Sequence, residues 1–386
     1  MGMVNRAINL SKSRSFFLFG ARGTGKTSLL QQEFVGHPGV LYIDLLKPSK
    51  EDLYRLYPET LAHQIEAETF EWVIVDEIQK LPKLLDLVHH AIVNKRQKFI
   101  LTGSSARKLK RGAANLLAGR ASVYHLYPFT ARELGDDFDL QTALEWGLLP
   151  EVWNLKQAGD RAETLYAYAL TYLKEEVQAE QFVRKLDPFR KFLEVAAQSN
   201  GKIVNFSKIG NDVGVDTTTV QNYFSILEDT LLGFILPSYH KSVRKRQREA
   251  PKFYFFDPGV VRALSRTLDV HLVPKTYAYG ESFEHFVILE IRKLAEYARK
   301  KWEFYYLRTK DDVEIDLLID IPKRPTVCIE IKSSSQVTRS DLRSFIAISA
   351  DMKNIRAICL SNDPVKKKID HVECFHWREG IEQLGL

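Results

Sequence analysis

Near the start of the chain, Gly20-Ala21-Arg22-Gly23-Thr24-Gly25-Lys26-Thr27 has the residue types and spacing to hold a polyphosphate. Glycines let a backbone curl until several N–H groups point inward at anionic oxygens, and a helix opening at Lys26 would add the positive end of its dipole. Lys26 supplies a point charge for terminal phosphates, and the Thr27 hydroxyl is a ligand for Mg2+. The set of contacts runs on to Ser28. Downstream, Trp72-Val-Ile-Val-Asp76-Glu77 is an apolar run ending in two acids. Asp76 would hold Mg2+ through water and Glu77 would polarise an attacking water. Lys98-Phe-Ile-Leu-Thr102-Gly103-Ser104 ends in hydroxyls; Thr102 or Ser104 would contact a terminal phosphate or that water, and a helix N-cap before Ala106 is the competing reading. Arg120, after a glycine, would stabilise transition-state charge across a subunit interface, which implies a homo-oligomer.

A second set of reactive types lies near the other end. Val313-Glu-Ile-Asp316 and Val327-Cys-Ile-Glu330-Ile-Lys332 are apolar runs carrying Asp316, Glu330 and Lys332, and period-two geometry puts Glu330 and Lys332 on one face. Two such carboxylates would bind a second divalent metal, Mg2+ or Mn2+, with Glu284 on a preceding helix as a further ligand. Lys332 would position or deprotonate a water. Alternating charge on an exposed edge strand is the competing reading. A helical Glu, a strand Asp and then Glu-x-Lys resembles the core of restriction-endonuclease-like nucleases; that resemblance implies a nuclease-like fold and leaves cutting and binding both open.

The elements that must position these residues follow from the pattern. Ser15-Phe-Phe-Leu-Phe19, Gly39-Val-Leu-Tyr-Ile43, Trp72-Val-Ile-Val75, Lys98-Phe-Ile-Leu101 and Ser122-Val-Tyr-His-Leu126 read as buried strands separated by helices, as in a covered parallel sheet. The expected division is a P-loop core over 1–127, a helical lid over 128–190 with one long helix at 162–180, a winged-helix segment over 191–278, and a second α/β unit over 279–386. In the third part a short helix, a glycine turn and a helix capped by Asp216 are expected. Strands around Phe234 and Phe253 would form the wing. The last part would hold a helix at 283–299 and strands at 302–307, 313–320 and 326–331. Between the wing strands, Lys241-Ser-Val-Arg-Lys-Arg-Gln-Arg-Glu-Ala-Pro-Lys252 suits a DNA backbone, with a solvated hairpin as the alternative.

Composition narrows the class. Of 386 residues, 45% are hydrophobic and 27% charged, which excludes extensive disorder, and a net charge of +6 permits nucleic-acid binding without requiring it. Cys328, Cys359 and Cys374 are too few and scattered for a disulfide framework or zinc site. They read as small buried hydrophobes. Without a signal-peptide layout or a run of about 20 apolar residues, the chain is expected to be cytoplasmic and away from membranes.

Together these residues resemble an AAA-type ATPase of the prokaryotic group whose second half is a conserved domain of unknown function. Asp76-Glu-Ile-Gln-Lys80, Leu101-Thr-Gly-Ser-Ser105, Leu117-Ala-Gly-Arg120 and Leu126-Tyr-Pro-Phe-Thr130 look like that family's successive blocks. Pro251-Lys-Phe-Tyr-Phe-Phe-Asp257-Pro-Gly259 and Gly280-Glu-Ser-Phe-Glu284 look like those of its second half. The resemblance covers nearly the whole chain and implies binding and hydrolysis of ATP. The expected function is ATP hydrolysis coupled to engagement or processing of DNA, with a nucleotide-dependent switch that binds DNA or a protein without cutting as the alternative.

Overall fold

The computed structural model describes residues 4–105, 117, 119–172, 186–240, 249–310 and 312–386. They divide into two compact units. One contains the described residues of Ile8–Phe129 with Ile226–Leu232; the other contains those of Met1–Ala7, Thr130–Ser225 and Gly233–Leu386.

The first unit is built on five strands. They are β1 (Phe16–Phe19), β2 (Val40–Asp44), β3 (Trp72–Asp76), β4 (Lys98–Gly103) and β5 (Ser122–His125), in the order β2-β3-β4-β1-β5. Every neighbouring pair is parallel. The run FFLF of β1 and the run WVIVD of β3 are buried throughout, while the outer strands β2 and β5 are only partly covered. Continuous apolar runs inside and mixed runs at the edges are what two covered faces demand. Helices α1 (Lys26–Glu33), α2 (Pro48–Leu56), α3 (Thr60–Ala67) and α4 (Leu84–Lys95) connect the strands. A core containing Phe17, Val75, Leu85, Phe99 and Leu101 fills one side. In this order β4 lies between the strand that delivers the glycine loop and the strand that ends in Asp76.

The second unit begins helically. The expected long helix at 162–180 is instead Ala158–Ala167 running into a π-helical turn, Tyr168–Tyr172. Its remainder lies outside the described residues. The winged-helix arrangement follows. Helix Leu186–Gln198 precedes helix Phe206–Val213, which ends at Gly214 with φ 80°. Asp216 then caps helix Thr217–Asp229, its Oδ1 accepting the Thr219 amide at 2.8 Å. Strands β6 (Gly233–Leu236) and β7 (Lys252–Phe255) pair antiparallel as the wing. Phe224 ties helix to wing, with edge-on ring contacts to Phe192 at 4.8 Å and Phe253 at 4.9 Å.

A long helix, Tyr277–Tyr297, leads into β8 (Glu303–Arg308), β9 (Glu314–Asp320), β10 (Thr326–Lys332), β11 (Ile355–Ser361), β12 (Lys367–Ile369) and β13 (Val372–His376). The sheet order is β12-β13-β11-β10-β9-β8. The pairs β8–β9, β9–β10 and β12–β13 are antiparallel, whereas β10–β11 and β11–β13 are parallel. Cys328, Cys359 and Cys374 are free and buried in one core with Phe345 and Leu342. Among the described residues no helix is long and apolar enough to cross a membrane.

Candidate functional site

The glycine loop leaves β1 at the carboxyl edge of the first sheet, where open α/β sheets place their ligands. Gly20 has no room for a side chain: a Cβ there would stand 2.4 Å from the Leu126 carbonyl oxygen. Gly25 has φ 90° and forms the N-cap of α1, a left-handed conformation that a glycine adopts without strain. Thr24 is fully buried and its hydroxyl donates to the Ala21 carbonyl at 2.8 Å, closing the loop on itself. Arg22, Gly23, Thr27 and Ser28 face solvent. Lys26 is only 7% exposed, and its Nζ donates to the carbonyls of Gly20 at 2.7 Å and Ala21 at 3.2 Å. The ammonium is thus folded over its own loop, beside the amides that would receive phosphate.

Asp76, buried at the end of β3, accepts three hydroxyl hydrogen bonds. Thr27 donates to Oδ2 at 3.1 Å, Tyr42 donates to the same oxygen at 2.5 Å, and Thr102 donates to Oδ1. Burial and then the Asp76 carboxylate push the Tyr42 phenol pKa upward, so it remains a donor. Glu77 has φ 62°, an uncommon conformation for this side chain, costing on the order of 1–3 kcal/mol. Its amide donates to Thr102 Oγ1 at 3.1 Å, and its carboxylate accepts from Gln79 Nε2. Gln79 also donates to Ser104 Oγ at 3.3 Å, and its Oε1 is buried without a hydrogen-bond partner among the described residues. The geometry therefore gathers Gly20, Lys26, Thr27, Asp76, Glu77, Thr102 and Ser104 at one edge. It does so because β4 lies between β1 and β3: its Thr102 hydroxyl reaches Asp76 and Glu77, and its Gly103 carbonyl accepts the Gly20 amide at 3.2 Å.

Arg120 lies at the other end of the same strands. It precedes β5, whose Ser122 pairs with Phe16 at the amino-terminal end of β1. At about 3.3 Å per residue, the five residues from Ser15 to Gly20 put roughly 16 Å between that edge and the loop. Arg120 does not converge with the phosphate loop of its own chain.

The second constellation belongs entirely to the second unit. The pairing Ile329↔Leu317 brings Glu330 and Asp316 to facing positions one step further on. Asp316 accepts the Ile331 amide at 2.7 Å. Glu330 pairs with Lys332 at 2.6 Å, is only 8% exposed, and leaves Oε2 buried without a partner among the described residues. Glu284 accepts the Tyr254 hydroxyl at 2.8 Å and lies 3.7 Å from Lys252 Nζ. Lys252 also pairs with Glu314. Burial, and then the charge of Asp316, raise the pKa of both Glu284 and Glu330; burial raises that of Asp316. A cavity of about 460 Å³ opens over Lys252, Glu284, Arg308, Glu314, Asp316 and Lys332.

Two facing carboxylates with one unpartnered buried oxygen fit a single oxygen-ligated divalent cation. Glu284, expected as a further ligand, is engaged by Tyr254 and Lys252. Among the described residues, no group of three or more His, Cys, Asp or Glu side chains is arranged as a metal site.

Several site residues were not legible. Tyr42 carries no motif; Gln79 lies inside the block Asp76-Glu-Ile-Gln-Lys80, two residues beyond Glu77, but the pattern assigns it no role. Lys252 is a correction. Placed in the basic run for DNA contact, it is 3% exposed and faces acids. The burial of every residue in Lys252–Phe255 explains this, and the continuous aromatic run Phe253-Tyr254-Phe255 directly after Lys252 is its sequence trace. The remaining basic residues of that run, Lys241, Arg244, Lys245, Arg246 and Arg248, lie outside the described residues.

Residues 12–135 match the family described as AAA domain. Residues 137–270 match a domain of unknown function (DUF8612), and residues 279–378 match another (DUF4143). An uncharacterized protein of Mycobacterium tuberculosis is 28% identical over 74% of this chain, and the chain spans 63% of that relative's length. An uncharacterized protein of Methanocaldococcus jannaschii is 24% identical over 87% of this chain and 80% of its own. Among solved structures, the ORC2 protein of Aeropyrum pernix aligns at 14% identity with a TM-score of 0.37, over 67% of this chain and 87% of that one. Domain III of the Thermotoga maritima replication initiation protein DnaA aligns at 19% identity with a TM-score of 0.25, over 42% of this chain and 78% of that one. The chain is thus similar over residues 12–135 to AAA domains, and over residues 137–270 and 279–378 to two domains of unknown function.

Proposed function

We propose that this protein binds and hydrolyses ATP at the glycine loop and couples that reaction to engagement of DNA by its C-terminal half. The carrying observation is the meeting of Thr27 with Asp76 at 3.1 Å beside the buried Lys26, at the carboxyl edge of a parallel sheet. Loop amides and Lys26 hold the terminal phosphates, and Lys26 gives up its loop carbonyls to do so. Mg2+, held by Thr27 and Asp76, supplies the positive charge that neutralises the phosphates. Glu77 orients and polarises the attacking water, while Gln79 fixes the Glu77 carboxylate. Thr102 holds Asp76 and the Glu77 amide in register. Arg120, out of reach of its own loop, serves the nucleotide of a neighbouring copy in a homo-oligomer.

In the C-terminal half, Asp316 and Glu330 hold one divalent cation, and Lys332 positions a water against a phosphodiester of DNA. The alternative, a domain that binds DNA or a protein without cutting, is favoured by the engagement of Glu284 with Tyr254 and Lys252. Incubating the purified protein with linear, circular, branched and single-stranded DNA, ATP and Mg2+ or Mn2+ separates the two. Asp316→Ala should abolish metal-dependent cutting and leave ATP hydrolysis intact. DNA binding without cutting of any substrate would establish the binding reading instead.

A further inference from the structure

Lys252 stands among acids that the wing would otherwise leave exposed to one another. Its Nζ lies 3.7 Å from Glu284, pairs with Glu314, and sits 5.5 Å from the centre of the Tyr306 ring. At 3% exposed it shows the cavity almost none of its surface. An ammonium withdrawn from water is costly unless it is well paired, so this side chain is committed to its two carboxylates. A DNA phosphate cannot recruit it. Tyr254, two residues along the same strand, holds Glu284 from the same side through its hydroxyl at 2.8 Å.

The pocket therefore has two halves. Glu284 and Glu314 share Lys252; Glu330, which faces Asp316, pairs with Lys332 and keeps one oxygen unpartnered among the described residues. When all six groups are ionised, two negative charges remain uncompensated, the charge of one divalent cation. The orphaned Glu330 oxygen assigns that charge to the Asp316–Glu330 half. A second cation beside Glu284 would meet the Lys252 ammonium at close range, and like charges a few ångströms apart in a poorly solvated pocket repel strongly.

We propose that Lys252 is a built-in counter-ion that takes the place of a second divalent cation, so that the C-terminal site holds a single hard divalent metal. This rests on the metal-dependent reading of Asp316 and Glu330 given above. Lys252 is a positioning residue: it anchors Glu284 and Glu314 and touches neither metal nor DNA.

Mn2+ titration of the full chain without nucleotide, followed by electron paramagnetic resonance and calorimetry, tests this. Wild type should bind one ion that Asp316→Ala removes, and Lys252→Arg should keep that stoichiometry. Folded Lys252→Met, checked by thermal melting, should bind two ions with the broadened signal of a spin-coupled pair. Should Lys252→Met fail to fold, Glu314→Gln serves: one ion remains, weakened on the order of tenfold by the lost negative charge. Two Asp316-dependent ions in wild type, one ion in folded Lys252→Met, or unchanged affinity in Glu314→Gln would each overturn the counter-ion role alone. No Asp316-dependent Mn2+ in wild type would overturn the metal reading itself, and this inference with it.

Discussion

A Cβ on Gly103 would stand 2.5 Å from Oε1 of Gln79, so the end of β4 and the glutamine beyond β3 leave no space between them. The obstructing atom is the far end of a flexible side chain, which can move while the backbone stays. Gly103→Ala should therefore displace Gln79 and release its bonds to Glu77 and Ser104 without unfolding the sheet. ATP affinity should hold while turnover falls on the order of tenfold, about 1.4 kcal/mol in the barrier. Adding Gln79→Ala to Gly103→Ala should change little further; a large extra loss in phosphate release would separate the two residues.

Lys26 and Glu77 should divide binding from chemistry. Lys26→Ala removes the charge folded over the loop and should abolish nucleotide binding in calorimetry. Glu77→Gln should still bind ATP yet lose at least about a hundredfold in turnover, the scale of a misplaced general base. Normal phosphate release by Glu77→Gln would take that carboxylate out of the reaction.

Arg120 should act on a neighbouring copy, because the length of β1 separates it from its own loop. Arg120→Ala and Lys26→Ala subunits should each be inactive alone. Mixed, they should recover part of the ATPase activity, since one type of interface keeps both intact parts. Native mass spectrometry would confirm mixing, and mixed assemblies without recovery would argue against action between subunits.

Asp363 should make the second unit acid-sensitive. Its burial alone would raise the pKa, but Lys367 at 2.6 Å and the amides of Val337 at 2.8 Å and Val365 at 3.0 Å pull it down to about 2. A folded pKa below the unfolded one stabilises the fold above the unfolded value and loses that contribution as pH falls through the folded value. Asp363→Asn should cost about 1–2 kcal/mol near neutrality, and the deficit should shrink between about pH 4 and pH 2. Urea unfolding of both proteins across that range would show it; a constant deficit would assign the loss to packing.

The sequence is legible where periodicity and chemistry coincide. Five apolar runs separated by helices specify the first sheet, and the glycine loop and Asp76 fall at its carboxyl edge because short motifs there are local. Asp216 and the turn after Val213 were readable for the same reason. Strand order is not local, so the insertion of β4 between β1 and β3, which brings Thr102 to Asp76, could not be read from spacing. Lys252 shows the converse limit. Its charged neighbours argued for a surface, while its partners Glu284 and Glu314 come from elements tens of residues away.

The three hydroxyls around Asp76 fix its orientation. Its two oxygens offer about four acceptor sites, and Thr27, Tyr42 and Thr102 fill three of them. These donors come from α1, β2 and β4, so three separate elements clamp one side chain. The carboxylate is therefore aimed by the sheet itself, with one acceptor site left over.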